Sequence, residues 1–418
     1  MPQTVLVEHP TTWPARLPFY YGWVQVVLAA IAMSATFPGR TYGLGIIKEQ
    51  LRADLGIDDL RFNWLNFWAI IVGAIVVFPV GALIDRLGTR IVLAGVSMGL
   101  GISVLLMSRS TDETDLFTTL TLVRGLGQCA LSVVAIALVG KWFRKRAGVA
   151  MGIFTVLLSI GFVVPIFVVG EAVKTSGWRL AWDGVGLALL LGLAPLGLLF
   201  ARGTPESSGV KPDDPAPDMG RSEPMSLVAT LQTPAFWVYT AAATIFNLTF
   251  SALNLDNELL LKEHGLDGAK LNDLILGILL VSGLPANMIA GTLARHKPLG
   301  KLLAAGVAVL AASLAFFPFI GSLATAIVYA VLLGVSGGVI TVIYFAVYGH
   351  TYGRLNLGSI QAVVQVLTVF ASAMGPVILA EVRKWNNGST SPFFFAFSAV
   401  TVMLAFAAWF VPQPITKR

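Results

Sequence analysis

Arg40 and Arg124 each lie inside a long apolar run, Arg40 in SATFPGRTYGLGII and Arg124 in LVRGLGQCALSVVAIALVG. A guanidinium in such surroundings needs an anion or several hydrogen-bond acceptors. For Arg40 two readings stand. It holds a carboxylate of a passing solute, with Tyr42 beside it, or it pairs with an acid elsewhere in the chain and works as a gate. Arg124 precedes Gly125 and Gly127, so it is either a solute contact or a structural cation bonded to backbone carbonyls where small residues permit close packing. Asp256 and Glu258 lie near the end of another apolar run. Buried carboxylates hold protons near neutral pH, which makes both candidates for proton coupling. On a regular helix Asp256 points roughly opposite to Glu258. The sequence shows neither metal-ligand spacing, nor G-x-S-x-G, nor a phosphate loop. Hydrolysis and ATP coupling are therefore not signalled, no cofactor or metal is expected, and uphill movement of a solute must draw on an ion gradient or exchange.

The elements that carry these residues follow from composition. The 418 residues are 56% hydrophobic and 12% charged, with a mean hydropathy of +0.80. A soluble domain has roughly 25% charged residues. The apolar runs do not alternate, which excludes a β-barrel and leaves membrane-spanning helices. Twelve spans are expected: 19–47, 62–84, 91–108, 116–140, 147–171, 180–201, 235–261, 271–294, 299–318, 323–349, 359–380 and 391–412. A polar, Pro/Asp/Ser-rich stretch after the sixth reads as a flexible linker. The domains are then an N-terminal six-helix bundle (1–202), a linker (203–230) and a C-terminal six-helix bundle (231–418). With both termini cytoplasmic, sixteen of the 28 Lys and Arg fall on the cytoplasmic side, in keeping with the positive-inside rule. The net charge of +6 is then loop bias, and nucleic acid is not an expected partner. The first run, from Phe19, is too long for a cleaved signal and reads as a retained span. The single Cys129 forms no intrachain disulfide.

The two halves repeat at an offset of roughly 210 residues. Gly81 matches Gly291, Pro165 matches Pro376, and Glu171 matches Glu381. Asn254 falls opposite Arg40, two residues before Asp256. The matching ends Glu171 and Glu381 are expected to pair with Lys174 and Arg383. Apart from Asp183 and Lys301 near their ends, spans three, six, nine and twelve carry no charged or amide side chain and should face lipid. Other spans carry one polar stripe: Thr121, Arg124, Gln128 and Ser132 in the fourth; Asn247, Ser251, Asn254 and Glu258 in the seventh; Thr341, Tyr344 and Tyr348 in the tenth; Gln361, Gln365, Thr368 and Ser372 in the eleventh. Such stripes either bond helix to helix or line a wet path between the halves. Arg40, Tyr42, Arg124, Gln128, Asn247, Asn254, Tyr344, Gln361 and Gln365 are the candidate solute ligands.

The second and third spans meet in GALIDRLGTR, residues 81–90. This stretch resembles the G-x-x-x-D-R-x-G-x-R loop between the second and third helices of the major facilitator superfamily, and RGLGQ resembles that family's R-G-x-G motif. The resemblance implies an all-α fold of twelve transmembrane helices in two pseudo-symmetric halves, with helices one, four, seven and ten around a central cavity. It also implies a cytoplasmic latch in which Asp85 meets a helix N-terminus of the other half and arginines after the fourth span. Asp85, Arg86, Arg90, Arg144 and Arg146 are the expected gating residues, with the eleventh helix starting near Ser359. In the second half Arg295 stands where an acid would complete a second latch. WFRKRAGVAMG and FPGRTYG are similar to segments of monocarboxylate transporters and related bacterial organic-anion porters. The acid–arginine pair those proteins carry in the eighth span is absent, as is their acidic opening of the first. The expected function is secondary transport of a small organic anion, a monocarboxylate, across the cell membrane by alternating access and proton-coupled, in a monomer embedded in lipid. The alternative is a carrier or exporter of a neutral or amphipathic solute with Arg40 as a gate residue only.

Overall fold

The computed structural model of the chain describes residues 13–75, 77–213 and 225–412. Every apolar run in it is helical, as hydrocarbon requires, because an unpaired backbone amide there has no water to bond. Eleven helices are long and apolar enough to cross a bilayer among the described residues. The second to sixth spans are residues 59–87, Thr89–Met107, Glu113–Gly140, Ala147–Ser176 and Trp178–Phe200. The seventh to twelfth are Pro234–Glu263, Gly268–Leu293, Leu299–Phe316, Leu323–Tyr352, Leu357–Trp385 and Ser391–Phe410.

The first span differs from the unbroken run over 19–47. It is two helices, Gly22–Ser34 and Thr41–Leu55, with a single 3₁₀ turn, Phe37–Gly39, between them. Pro38 has no N–H to give a continuing helix, and Arg40 is extended at φ −97°, ψ 158°. The fourth span is also irregular, widening into a π-helix over Arg124–Leu131. The two irregularities touch. A Cβ on Gly39 would lie 2.6 Å from the Val123 carbonyl oxygen and 2.8 Å from the Gln128 nitrogen, so only glycine lets these backbones meet.

Each half has its own core. Outside, large apolar side chains stand bare: Leu191 is 75% exposed in the sixth span and Phe410 74% in the twelfth. Apolar surface on that scale is the side a membrane protein turns to lipid.

The halves meet at the end that carries the linker, here the linker face. Two helix pairs make the closure, the second span against the eleventh and the fifth against the eighth. Each rests on a glycine pair. A Cβ on Gly81 would lie 2.8 Å from the Gly358 carbonyl oxygen, and one on Gly148 2.9 Å from that of Gly291 and 2.4 Å from the Ala294 Cβ. Gly148→Val therefore cannot be accommodated without parting the fifth and eighth spans. The variant should fold, because each half keeps its core, but lose the linker-face closure. Cysteine accessibility of the Gly291 turn rising severalfold would show it, and accessibility equal to the parent's would refute it.

The linker is fastened at its described start. Glu206 accepts from Arg354 of the second half at 2.8 Å. Asp213 caps the backbone N–H groups of Arg144 and Arg146, both at 2.9 Å. Residues 214–224 of the expected flexible stretch lie outside the described residues, and a short helix, Leu227–Leu231, precedes the seventh span.

Candidate functional site

The break in the first span puts Arg40 at the head of Thr41–Leu55, facing the fourth span. Its Nη2 donates to Ser132 Oγ at 2.9 Å and meets Met33 Sδ at 3.5 Å, and Nε donates to Thr36 Oγ1 at 3.1 Å. Phe162 of the fifth span lies under the guanidinium, 5.9 Å from ring centre to Cζ. These contacts fix the cation's position at the break. Across the seam, Tyr344 of the tenth span is within electrostatic range of Arg40 and lies beside Thr368. Gln365 of the eleventh span donates to the Gln128 carbonyl at 3.3 Å, a carbonyl that also accepts from Ser132 Oγ at 2.7 Å. The polar stripes of the fourth and eleventh spans therefore face each other.

Gln361 lies one turn nearer the linker face, fully buried, and neither its amide nitrogen nor its oxygen has a partner among the described residues. A buried amide left unbonded costs about 1–3 kcal/mol. Asn247 and Asn254 each turn the amide N–H back onto the carbonyl four residues earlier, at 2.8 Å. That leaves each Oδ1 as the free acceptor of a half-buried side chain. Asp256 is half-buried at the far face. The side chains of Tyr42 and Glu258 lie outside the described residues.

Arg124 does not join this group. It is 1% exposed. Its Nε and Nη2 donate to Asn66 Oδ1, Nε at 3.1 Å, and Nη1 donates to the Gly39 carbonyl at 2.9 Å and Gln128 Oε1 at 3.1 Å. Four hydrogen bonds tie it to the broken first span, the second span and its own helix, the geometry of a brace. Arg124→Gln should remove several charge-assisted bonds and leave a gap behind Gly39, a cost of about 3 kcal/mol or more. A fall of several degrees in the melting temperature of the purified protein is expected, and an unchanged melt would count against the bracing role.

At the linker face, Asp85 receives the backbone N–H groups of Gly358 at 3.0 Å and Ser359 at 2.8 Å, and the Ser359 hydroxyl at 2.8 Å. A carboxylate at the start of a 29-residue helix is favoured by the partial positive charge there. The cation that meets Asp85 is Lys141, at 3.0 Å, its Nζ also bonded to the Ile84 carbonyl at 3.2 Å. Arg144 and Arg146 were the expected partners. Both side chains are exposed, and their backbone N–H groups hold Asp213. Lys141 lies within reach because it ends the fourth helix, whereas the arginines lie three and five residues on, in the turn. Arg90 donates to the Leu198 carbonyl at 2.7 Å and stays within the first half, and Arg86 is exposed. Arg354 closes the corner by donating to the Lys141 carbonyl at 2.7 Å.

At the far face Lys174 meets Glu171 at 3.8 Å as expected. Arg383 and Glu381 are two residues apart and point to different sides of their helix. Arg383 instead lines a cavity with Asp256.

The profile of the Major Facilitator Superfamily matches residues 24–376. Monocarboxylate transporter 13 of Rattus norvegicus is 25% identical over 385 residues, covering 89% of this chain and 85% of that protein. The Fujikurins efflux protein of Gibberella fujikuroi is 27% identical over 232 residues, 54% of this chain and 46% of its own length. Among solved structures, that of the human organic anion transporter MFSD10 (TETRAN) superposes with a TM-score of 0.68 at 16% identity, covering 94% of this chain and all of the other. At that identity the likeness speaks for the fold.

Proposed function

The chain belongs to the major facilitator superfamily, and from that membership we propose that it is a secondary transporter of a small organic anion, a monocarboxylate, working by alternating access. The observation that carries this reading is Arg40. It is a cation at a helix break, held by Ser132 over the Phe162 ring and facing the polar residues of the other half. An anionic solute would meet the guanidinium there, with Ser132, Tyr344, Gln365 and the free oxygens of Asn247 and Asn254 as hydrogen-bonding groups. The rat relative's name points to the same class of solute.

On this reading the linker face is cytoplasmic, as the Lys and Arg bias argues, and the arrangement described is closed to the cytoplasm. Gln361 would gain a partner when the seam opens. Asp256 is the candidate proton carrier. The membrane is the cell membrane and the working unit a monomer. A second reading, export of an amphipathic solute with Arg40 as a gate residue, is favoured by the efflux relative.

The two are separated by uptake into vesicles of the purified protein, using a panel of monocarboxylates, sugars and lipophilic cations under an imposed proton gradient. Saturable uptake of a monocarboxylate that rises with the gradient supports the first reading. Movement of the lipophilic or neutral solutes alone would replace it with the second.

A further inference from the structure

The far-face ends of the seventh and eleventh spans enclose a cavity of about 350 Å³. We propose that this cavity is a second, outer binding site for small carboxylates, with Arg383 as the principal ligand, Lys384 beside it and Asp256 opposite. The proposal rests on the reading of the chain as an organic-anion transporter and adds a step of capture before the solute reaches Arg40.

Four observations carry it. The Arg383 Nε is buried and has no acceptor among the described residues, and a buried N–H of a charged group calls for one. Asp256 lies within electrostatic range of Arg383, yet no ion pair joins the two, so the guanidinium is held near an acid without being spent on it. Glu263, at the end of the seventh span, is committed elsewhere. It accepts from the backbone N–H and the hydroxyl of Thr390, at 2.8 and 2.9 Å.

The turn that closes the cavity is also built firmly. The Gly388 N–H donates to the Arg383 carbonyl at 2.9 Å, and the Asn386 side-chain Nδ2 donates to the Val382 carbonyl at 2.7 Å. Asn387 and Gly388 take positive φ of 53° and 93° to make this turn. Two cations against one carboxylate leave a net charge of +1, which a single carboxylate cancels. Leu260 and Leu379, both nearly fully buried, give the other wall an apolar surface for a short alkyl or aryl tail. The ligand class is therefore a monoanion with a small apolar body.

The test uses the full-length protein in lipid nanodiscs, titrated calorimetrically with benzoate, and with benzamide as the neutral control. The parent, Arg40→Gln, Arg383→Gln and the double variant Arg40→Gln/Arg383→Gln are compared, together with benzoate uptake into vesicles. Arg40→Gln should retain weak, salt-sensitive benzoate binding that the double variant loses. Arg383→Gln alone should raise KM for uptake roughly three- to tenfold with little change in kcat, as expected of a charge that assists approach. Identical benzoate binding by Arg40→Gln and the double variant would overturn the site. Retained binding at Arg383 in a protein that moves no carboxylate would uphold the site while ending the transport reading. Absence of benzoate binding in the parent would end both.

Discussion

Replacing Arg40 with Gln is expected to cut monocarboxylate uptake by one to two orders of magnitude while leaving the amount of folded protein unchanged. A hydrogen bond to a charged group is worth about 1.5–3 kcal/mol, and each 1.4 kcal/mol is a factor of about ten in affinity. Gln can still bond Ser132 and Thr36, so the break in the first span keeps its local support, and Arg124 continues to hold the Gly39 carbonyl from behind. Arg40→Lys should fall between the two, since it keeps the charge but loses the planar fork that matches a carboxylate. The measurement is initial uptake into vesicles at equal protein. Monocarboxylate rates within twofold of the parent would leave Arg40 as a gate residue and favour the amphipathic-solute reading.

The second large effect is expected at Asp85. Asn in its place keeps the shape but loses the charge, and it leaves Lys141, whose side chain is only 7% exposed, without its carboxylate. Breaking a buried ion pair from one side costs about 3–5 kcal/mol. Asp85 is itself 10% exposed, so the lower end of that range applies, enough to shift the ratio of closed to open linker face by roughly a hundredfold. Spin labels at Leu87 and Leu355 would report it. Both positions are exposed, one lies in each half, and the native Cys129 is buried away from the reagent. Asp85→Asn should populate longer distances. Lys141→Met in the same protein should reverse part of the shift by removing the stranded charge. A distance distribution unchanged by Asp85→Asn would show that close packing alone holds the closure.

Much of this architecture was legible in the sequence because hydrocarbon imposes a simple rule on it. Runs of roughly twenty apolar residues had to be helices, and the spacing of Gln361, Gln365 and Thr368 had to lie on one face. The structure places Gln365 at the seam. Asp85 and the helix start at Ser359 could be matched through the loop motif. What stayed hidden depended on reach and on local backbone. FPGR holds the signal for the break in the first span, Pro38 followed by Gly39, but an apolar run conceals it. The choice of Lys141 over Arg144 and Arg146 turns on where the fourth helix stops, and boundaries are where sequence reading is least sharp. Arg124 could be read as ligand or brace. Its partner Asn66 lies 58 residues away, and no periodicity within one helix reveals a contact of that kind. The Arg383 cavity was missed because the symmetry of Glu171 and Glu381 suggested Glu381 as a partner, two residues along a helix that separates them.

The two glycine seams are not equivalent. Gly81 against Gly358 is fastened by Asp85 and Lys141, whereas Gly148 against Gly291 has Arg295 at the position corresponding to Asp85. One leaf of the door is thus bolted by charge and the other merely shut by shape. Ionic strength would loosen the first and added bulk the second. Parting would start at the unbolted leaf, so the halves would swing open about the Asp85 corner as a hinge instead of separating evenly along their length.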